Sequence, residues 1–520
     1  MVNKKISILD CTLRDGGYYN NWNFSTNLVE KYLAAVAKLP IDIVEVGYVS
    51  INKKDNYGPY YHLNINLLKE IKSSLNKKQK LCCMINAKEI ETHSDLISLL
   101  TKFENIVDIV RVAIDPERID FFIKIISKAK KKIKKIKFVI NLMYLSKWYK
   151  DINYSNTLIK KVKNAVEEVA LVDSHGSLKP LEVYHFFQKI ISLNKDVKIG
   201  CHFHNNSGLA LANTLSAIEA GCMIADATLK GMGRGAGNAE MELLLSTVRT
   251  KEINFSSYEF DEILEEFQKL KNKLEWGSSF SYSFSASKGF AQSEMMDLIQ
   301  KKRLDASIAL KAISSKIRKN NIVRFKNINY LKFLRKNTPV LIGGAPSFKF
   351  MGKNFLMNLQ KDVTIILSGS NAFKNYTKLD LNLNNQIILL LSGSEIKKIQ
   401  DIKKNNFMKK FKIDYLVIEK DFFVKEFNKI DKKKIIISES VGLNPLFLAG
   451  KILMHLKLNK LNLAFFDGDY TSEKGRAVMK ETEESYILIK NKINVKTFTK
   501  SFLSTNEINL WNNDQFLLAN

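Results

Sequence analysis

Cysteine is scarce in this 520-residue chain. Its five copies, Cys11, Cys82, Cys83, Cys201 and Cys222, are odd in number, lie in the first half and never stand as Cys-x-x-Cys. That spacing speaks against zinc or redox work and leaves them as reduced, buried small residues. No apolar run approaches the ~20 residues that a bilayer requires, and only five residues precede the first apolar strand, so neither a membrane span nor a signal peptide is expected. The expected location is cytoplasmic. Acidic residues are outnumbered, 53 against 81 basic ones, for a formal charge of +28. Such an excess can mark a polyanion partner. Here the lysines are scattered through Lys/Asn/Ile-rich sequence with no zinc-finger or RNA-binding signature and no aromatic-interleaved basic block, so solvated lysines are expected and nucleic acid is not.

Up to about Leu245, short apolar runs alternate with segments of helical period. The runs are ISILDC, DIVEVG, KLCCMI, DIVRVA, KFVINL, VALVDS, KIGCHF and MIADAT, beginning at Ile6, Asp42, Lys80, Asp108, Lys137, Val169, Lys198 and Met223. Eight strands separated by helices over this length match a (β/α)8 TIM barrel, although an open doubly wound sheet gives a similar alternation. The polar residues favour the barrel. Asp15, Glu45, Arg111, Asn141, Asp173, Ser174, His202, His204 and the loop GMGRGAGN are all expected at or just past the C-terminal strand ends, the face where barrels build their active sites.

The expected α/β architecture has four parts: a barrel over 1–250, a helical extension over 251–322, a linker over 323–336, and a Rossmann-like parallel domain over 337–520. The extension is read from EFDEILEEFQKLKNKLEW and SEMMDLIQKKRLDASIALKAISSKI, both of 3.6-residue period. The last domain rests on six strand-like runs, PVLIGGAPS, VTIILSGS, QIILLLSGS, DYLVIEK, KKIIISES and LNLAFFDGD. Three glycine-containing strand ends, IGGAPS, SGSN and SGSE, can present backbone N–H groups to an anion. None is a full Gly-x-Gly-x-x-Gly or Walker loop. Asp467 and Asp469 could hold a metal-nucleotide or a sugar hydroxyl, though an Asp-Gly turn is the ordinary explanation. A nucleotide- or sugar-linked substrate, or a role in assembly, remains open for this domain.

His202 and His204 stand at i and i+2 on the seventh strand, so their imidazoles project to one side. Only the eighth strand separates the seventh from the first, so both can meet Asp15 across the mouth, with Asn238 in reach from the next loop. One carboxylate, two imidazoles and an amide oxygen form an N/O site for Mn2+ or Mg2+ rather than a thiolate-rich zinc site. The plain alternative is a pair of strand-end histidines bonded locally.

DCTLRDG after strand one, VDSHG after strand six, HFHNNSGLALANTLSAIEAG at strand seven and GMGRGAGNAEMELL after strand eight resemble the DRE-TIM metallolyase (HMGL-like) superfamily. That group includes 4-hydroxy-2-oxovalerate aldolase, HMG-CoA lyase and the isopropylmalate and homocitrate synthases. The resemblance covers about Ile6 to Leu245. It implies that Asp15, His202 and His204 ligate a divalent metal, with Asn238 a further ligand or its neighbour. It further implies that Arg14 faces an enolate oxygen, Ser174 donates to the substrate carboxylate and Glu45 arranges the site. The ion then serves as Lewis acid to the enolate of a 2-oxo acid, with no Schiff-base lysine.

Two departures qualify the match. The aldolase branch usually has a general-base His where this chain has Tyr18, and the acyl-CoA-using synthases continue into Glu-Gln where it has Gly17-Tyr18. Tyr18, Tyr19 and His175 are the candidates for proton transfer, with Tyr282 a weaker one. The expected function is therefore an aldolase-like carbon–carbon lyase acting on pyruvate or a related 2-oxo acid and an aldehyde, with a homo-oligomer expected. A Claisen-type acyl-CoA-dependent synthase and a barrel serving only as a scaffold are the competing readings.

Overall fold

The computed structural model describes residues 6–51, 57–249, 258–290, 292–300, 310, 323–336, 338–392, 395, 407–420, 430–439, 444–468, 473–499, 501–503 and 506–507. The chain divides into two compact units, Met1–Met296 and Asp297–Asn520.

In the first unit the eight expected strands are β1 (Ser7–Asp10), β2 (Ile43–Val49), β3 (Lys80–Ile85), β4 (Ile109–Ile114), β5 (Lys137–Leu142), β6 (Glu168–Asp173), β7 (Lys198–Phe203) and β8 (Ile224–Ala227). All neighbours are parallel, and β8 closes on β1 with Asp10 paired to Ala227, making a closed barrel. The intervening helices are amphipathic. Ile119–Lys130 buries Ile119, Phe122, Ile125, Ile126 and Ala129 against the strands, and Pro180–Leu193 starts on proline and buries Val183, Phe186, Phe187 and Ile190.

The barrel interior has two layers set by the period-two alternation of strands. Ile43, Cys82, Ile109, Val139 and Ile224 pack with Leu9 and Cys11 into an apolar floor. Two residues further along the same strands come Glu45, Arg111, Asn141 and Asp226, all buried. Glu45 and Arg111 were expected at strand ends and instead sit in mid-strand, because β2 and β4 run on past them. Arg14 to Gly17 lie in a helix, Thr12–Asn20, that begins directly after β1. The glycines are used there for close packing: a Cβ on Gly16 would stand 2.8 Å from Met232 Sδ, and one on Gly17 2.1 Å from the Trp22 indole.

Past the barrel, helix Tyr258–Leu274 joins helix Thr26–Val36 through Lys31 Nζ to Glu262 Oε1 at 2.7 Å and through the Tyr32 and Phe267 rings. Helices Phe280–Ser287 and Gln292–Gln300 follow. Apart from Leu310, the rest of the expected helical segment to residue 322 lies outside the described residues.

The second unit is a nine-stranded sheet. The six expected strands are β10 (Val340–Ile342), β11 (Ile365–Ser368), β12 (Ile387–Leu390), β13 (Tyr415–Glu419), β14 (Ile435–Ser438) and β15 (Lys460–Ala464). Three short strands were not anticipated: β9 (Phe325–Lys326), in the stretch expected as linker, β16 (Asn494–Thr497) and β17 (Asn506–Glu507). The order is β17-β16-β15-β10-β11-β12-β13-β14-β9, parallel except that β9 runs antiparallel to β14. Alternate residues feed two cores, one containing Val340, Ile342, Ile365 and Leu367, the other Leu341, Ile366 and Ile388. Apolar runs rather than alternating ones follow from this two-sided burial. No helix among the described residues is long and apolar enough to cross a membrane, and all five cysteines are buried and unpaired with one another.

Candidate metal centre at the barrel mouth

A ring of charged side chains runs round the barrel interior. Arg14 reaches Asp15 Oδ1 with Nη1 at 2.5 Å and Glu45 Oε2 with Nε at 2.6 Å. Glu45 Oε2 lies 3.6 Å from Arg111 Nη1, and Arg111 Nη2 donates to Asp226 Oδ2 at 2.7 Å while its Nε donates to Asn141 Oδ1 at 2.8 Å. The same Asp226 Oδ2 is 2.9 Å from His202 Nδ1, and His202 Nε2 comes within 4.0 Å of Asp15 Oδ2. Every member is buried, and the alternation of sign offsets the desolvation that isolated charges would suffer.

Asp15, His202 and His204 each offer one donor atom within 4.8 Å of the others. His204 turns Nδ1 to the Gly237 carbonyl at 3.2 Å, which accepts only, so Nδ1 carries the proton and Nε2 its lone pair. His202 is oriented in the same way by the Asp226 carboxylate, the arrangement that commonly positions a metal-ligating imidazole. Burial, with Arg234 and His202 adding, drives the His204 pKa well below its ordinary value, so the ring is neutral and available as a ligand. Burial alone would raise the Asp15 carboxyl, but the adjoining Arg14 guanidinium outweighs it and holds Asp15 well below the usual carboxylate range.

Asn238 donates from Nδ2 to Asp15 Oδ2 at 2.6 Å, and its Oδ1 is buried without a hydrogen-bond partner. Gly233 keeps this side open, since a Cβ there would stand 2.7 Å from Asp15 Oδ2. An ionised carboxylate, two bare imidazole nitrogens and an orphaned amide oxygen fit a hard divalent cation. A second cluster, Cys11, His202 and Asp226, fits one less well. Burial pushes the Cys11 thiol up, so it stays protonated, and Asp226 is held by Arg111.

Arg14, Asp15, Tyr18, His202 and His204 share a cavity of about 310 Å³ with Asn141, Tyr144 and Arg234. One wall is aromatic. Trp22 meets Tyr18, Tyr48, Tyr57 and Tyr61 at ring separations of 4.7, 5.5, 5.1 and 4.8 Å. The Tyr18 hydroxyl is 3.2 Å from that of Tyr48, and the Arg234 guanidinium lies 5.4 Å from the Tyr18 ring centre. Tyr19 donates to the Gly235 carbonyl at 2.5 Å and lies 3.5 Å from the Tyr282 hydroxyl.

Not every expected residue opens on the cavity. Glu45 acts through Arg14, and Asn238 through Asp15. Ser174 Oγ accepts from the Tyr144 N–H at 3.1 Å, and the His175 ring faces Tyr144 at 5.6 Å with Nδ1 3.0 Å from Ser146 Oγ. Both are joined to the cavity wall through Tyr144 rather than lining it. Burial, then Lys147 and Arg234, lower the His175 pKa to about 4. Asp173 accepts from the N–H groups of Ser177 and Leu178 and organises the turn after β6. Asp226 is one of the residues the sequence reading missed, along with Tyr48 and Tyr144 of the cavity wall. For Asp226 the only signal is an acid two positions past Ile224 in a strand that otherwise alternates small and apolar residues.

Residues 5–268, half of the chain, match the HMGL-like family model, and the chain belongs to that family. A 4-hydroxy-2-oxovalerate aldolase of Carboxydothermus hydrogenoformans is 30% identical over 251 residues, 47% of this chain and 71% of that protein. An (R)-citramalate synthase of Sulfolobus acidocaldarius is 25% identical over 269 residues, 48% of this chain; the chain spans 49% of that synthase's length. Among solved structures, the N-terminal domain of a provisionally assigned aldolase from Bacteroides vulgatus has a TM-score of 0.51 and 35% identity, covering 57% of this chain and 97% of that one. The relatives are enzymes, aldolases and synthases among them.

Proposed function

We propose that the barrel is a divalent-metal-dependent aldolase that cleaves or forms a 4-hydroxy-2-oxo acid, with pyruvate or a related 2-oxo acid on one side and an aldehyde on the other. The observation that carries the reading is the convergence of Asp15 with the two free Nε2 atoms beside an Arg14 whose Nη2 is buried without a partner. Asp15, His202 and His204 hold the ion, Mn2+ or Mg2+ by donor type, and Asn238 supplies or supports a fourth position. A bound ion supplies Lewis-acid stabilisation of the negative charge that develops on the 2-oxo acid.

The chain's own residues do the rest. Arg14 has two of its three nitrogens fixed by Asp15 and Glu45, so its third is aimed before the substrate arrives and costs no reorganisation in the transition state. Tyr48 stays protonated because burial raises its pKa well above the ordinary value, and its hydroxyl lies 3.2 Å from that of Tyr18 on the cavity wall. His175 is neutral at pH 7 and serves by positioning Tyr144. The aromatic wall excludes water and faces the electrophile, in the stretch where the chain departs from the aldolase branch. The 30% identity to a 4-hydroxy-2-oxovalerate aldolase supports the reading; the citramalate synthase match favours a Claisen-type synthase as the alternative.

The test is to give the Mn2+-loaded protein pyruvate with a panel of aldehydes, or with acyl-CoA thioesters, and to follow new 2-oxo acids by mass spectrometry and thiol release. Aldol product without thiol is expected. Thiol release dependent on a 2-oxo acid would transfer the chain to the synthases.

A further inference from the structure

The second unit holds a cavity of about 570 Å³ unrelated to the barrel chemistry. It opens beyond the carboxyl ends of β10, β11 and β15. The chain there runs from β10 outward through β11 to β14 and then returns to place β15 on the other side of β10. That reversal is the switch point at which open α/β sheets leave a crevice for ligands.

Helix Gly369–Thr377 lines the crevice with Asn371, Lys374, Asn375 and, one residue past its end, Lys378. These positions follow i, i+3, i+4, i+7, so one helix face is polar and basic, while Ala372, Phe373 and Tyr376 on the other face enter the core. Asn375 is only 8% exposed, lines the cavity, and its side-chain amide has no hydrogen-bond partner among the described residues. That amide faces the cavity and can donate to or accept from a polar ligand group.

Lys349, Lys374 and Lys378 reach the cavity without an ion-pair partner among the described residues, against one carboxylate, Glu395, which already accepts from the Ser370 N–H. Backbone approaches closely at Gly343, where a Cβ would stand 2.1 Å from the Phe465 carbonyl oxygen. The lining also has apolar side chains, with Pro346, Phe466, Val478, Met479 and Phe502.

We propose that this crevice binds a nucleoside diphosphate, its diphosphate between the three lysines and Asn375 and its ring against the apolar side chains. Two or more negative charges match the excess of lysines. The volume lies within the range of sites for ligands of that size.

Calorimetry on the full chain with ADP, GDP, UDP and CDP tests this. One nucleotide per chain should bind with a Kd of about 1–100 µM, as expected for a ligand of some 25 atoms. Replacing two of the three exposed lysines, Lys374→Ala with Lys378→Ala, should weaken it by about tenfold or more through lost charge-assisted bonds, with the melting temperature unchanged. His202→Ala should bind as wild type, which separates this crevice from a metal at the barrel. Binding that survives the lysine pair, vanishes in His202→Ala, or is matched by inorganic pyrophosphate alone would overturn the proposal, as would no saturable binding of any of the four.

Discussion

His202 turns Nδ1 to Asp226, 2.9 Å from Oδ2, and thereby presents Nε2 to Asp15, 4.0 Å from its Oδ2. The ring is thus set from the neighbouring strand by a carboxylate that is itself fixed by Arg111 at 2.7 Å. Asp226→Asn keeps the shape but removes the charge that selects the tautomer. Its affinity for Mn2+ should fall by about 10–100-fold, as when such a supporting partner is lost. Isothermal titration of metal into both proteins measures this, and equal affinities would show that Asp226 serves only Arg111.

Arg14→Lys tests the oxyanion role. Lysine keeps the charge but cannot hold Asp15, Glu45 and a substrate oxygen with one planar fork. Turnover should drop by about 100-fold or more with metal affinity little changed. A loss of stability without a specific defect in turnover would make Arg14 a structural tie between Asp15 and Glu45.

His175 predicts an acid sensitivity. Its folded pKa of about 4 lies below the ordinary 6.5. The unfolded chain therefore takes up this proton first as pH falls, and stability present above pH 6.5 is lost on the way down to pH 4. The loss is at most about 3 kcal/mol for this one group. Urea midpoints between pH 4 and 6.5 should fall less steeply in His175→Asn than in wild type. Parallel curves would mean that His175 titrates alike in both states.

All eight barrel strands and six of the nine sheet strands were legible, because strands buried on both sides or facing a barrel core read as plain Val/Ile/Leu runs. β9, β16 and β17 were not, since FK, NVKT and NE are two or four residues long and carry no such run. The ligand triad was legible because His-x-His fixes two side chains on one face. The closed ring through Arg111 and Asp226 was not. It depends on which residues of four strands reach the same height inside the barrel, a register that local sequence does not state. The helix over Arg14–Gly17 was hidden by its glycines, whose propensity argues against helix while packing under Met232 and Trp22 requires them.

That packing gives a further expectation. In Gly17→Ala the added methyl meets the Trp22 indole, the centre of the aromatic wall. Stability should fall by about 1–3 kcal/mol, the usual cost of overpacking a tight site, and Trp fluorescence should shift as the ring moves. An unchanged melt and spectrum would mean that the helix relaxes freely.

Enolisation of the 2-oxo acid at the Asp15, His202 and His204 centre is tested most directly by NMR of pyruvate in D2O with the Mn2+-loaded protein, quenched before each spectrum and freed of metal. The account predicts steady loss of the pyruvate methyl signal with wild type and none with His202→Ala. Exchange at the same rate in both proteins, or in neither, would contradict it.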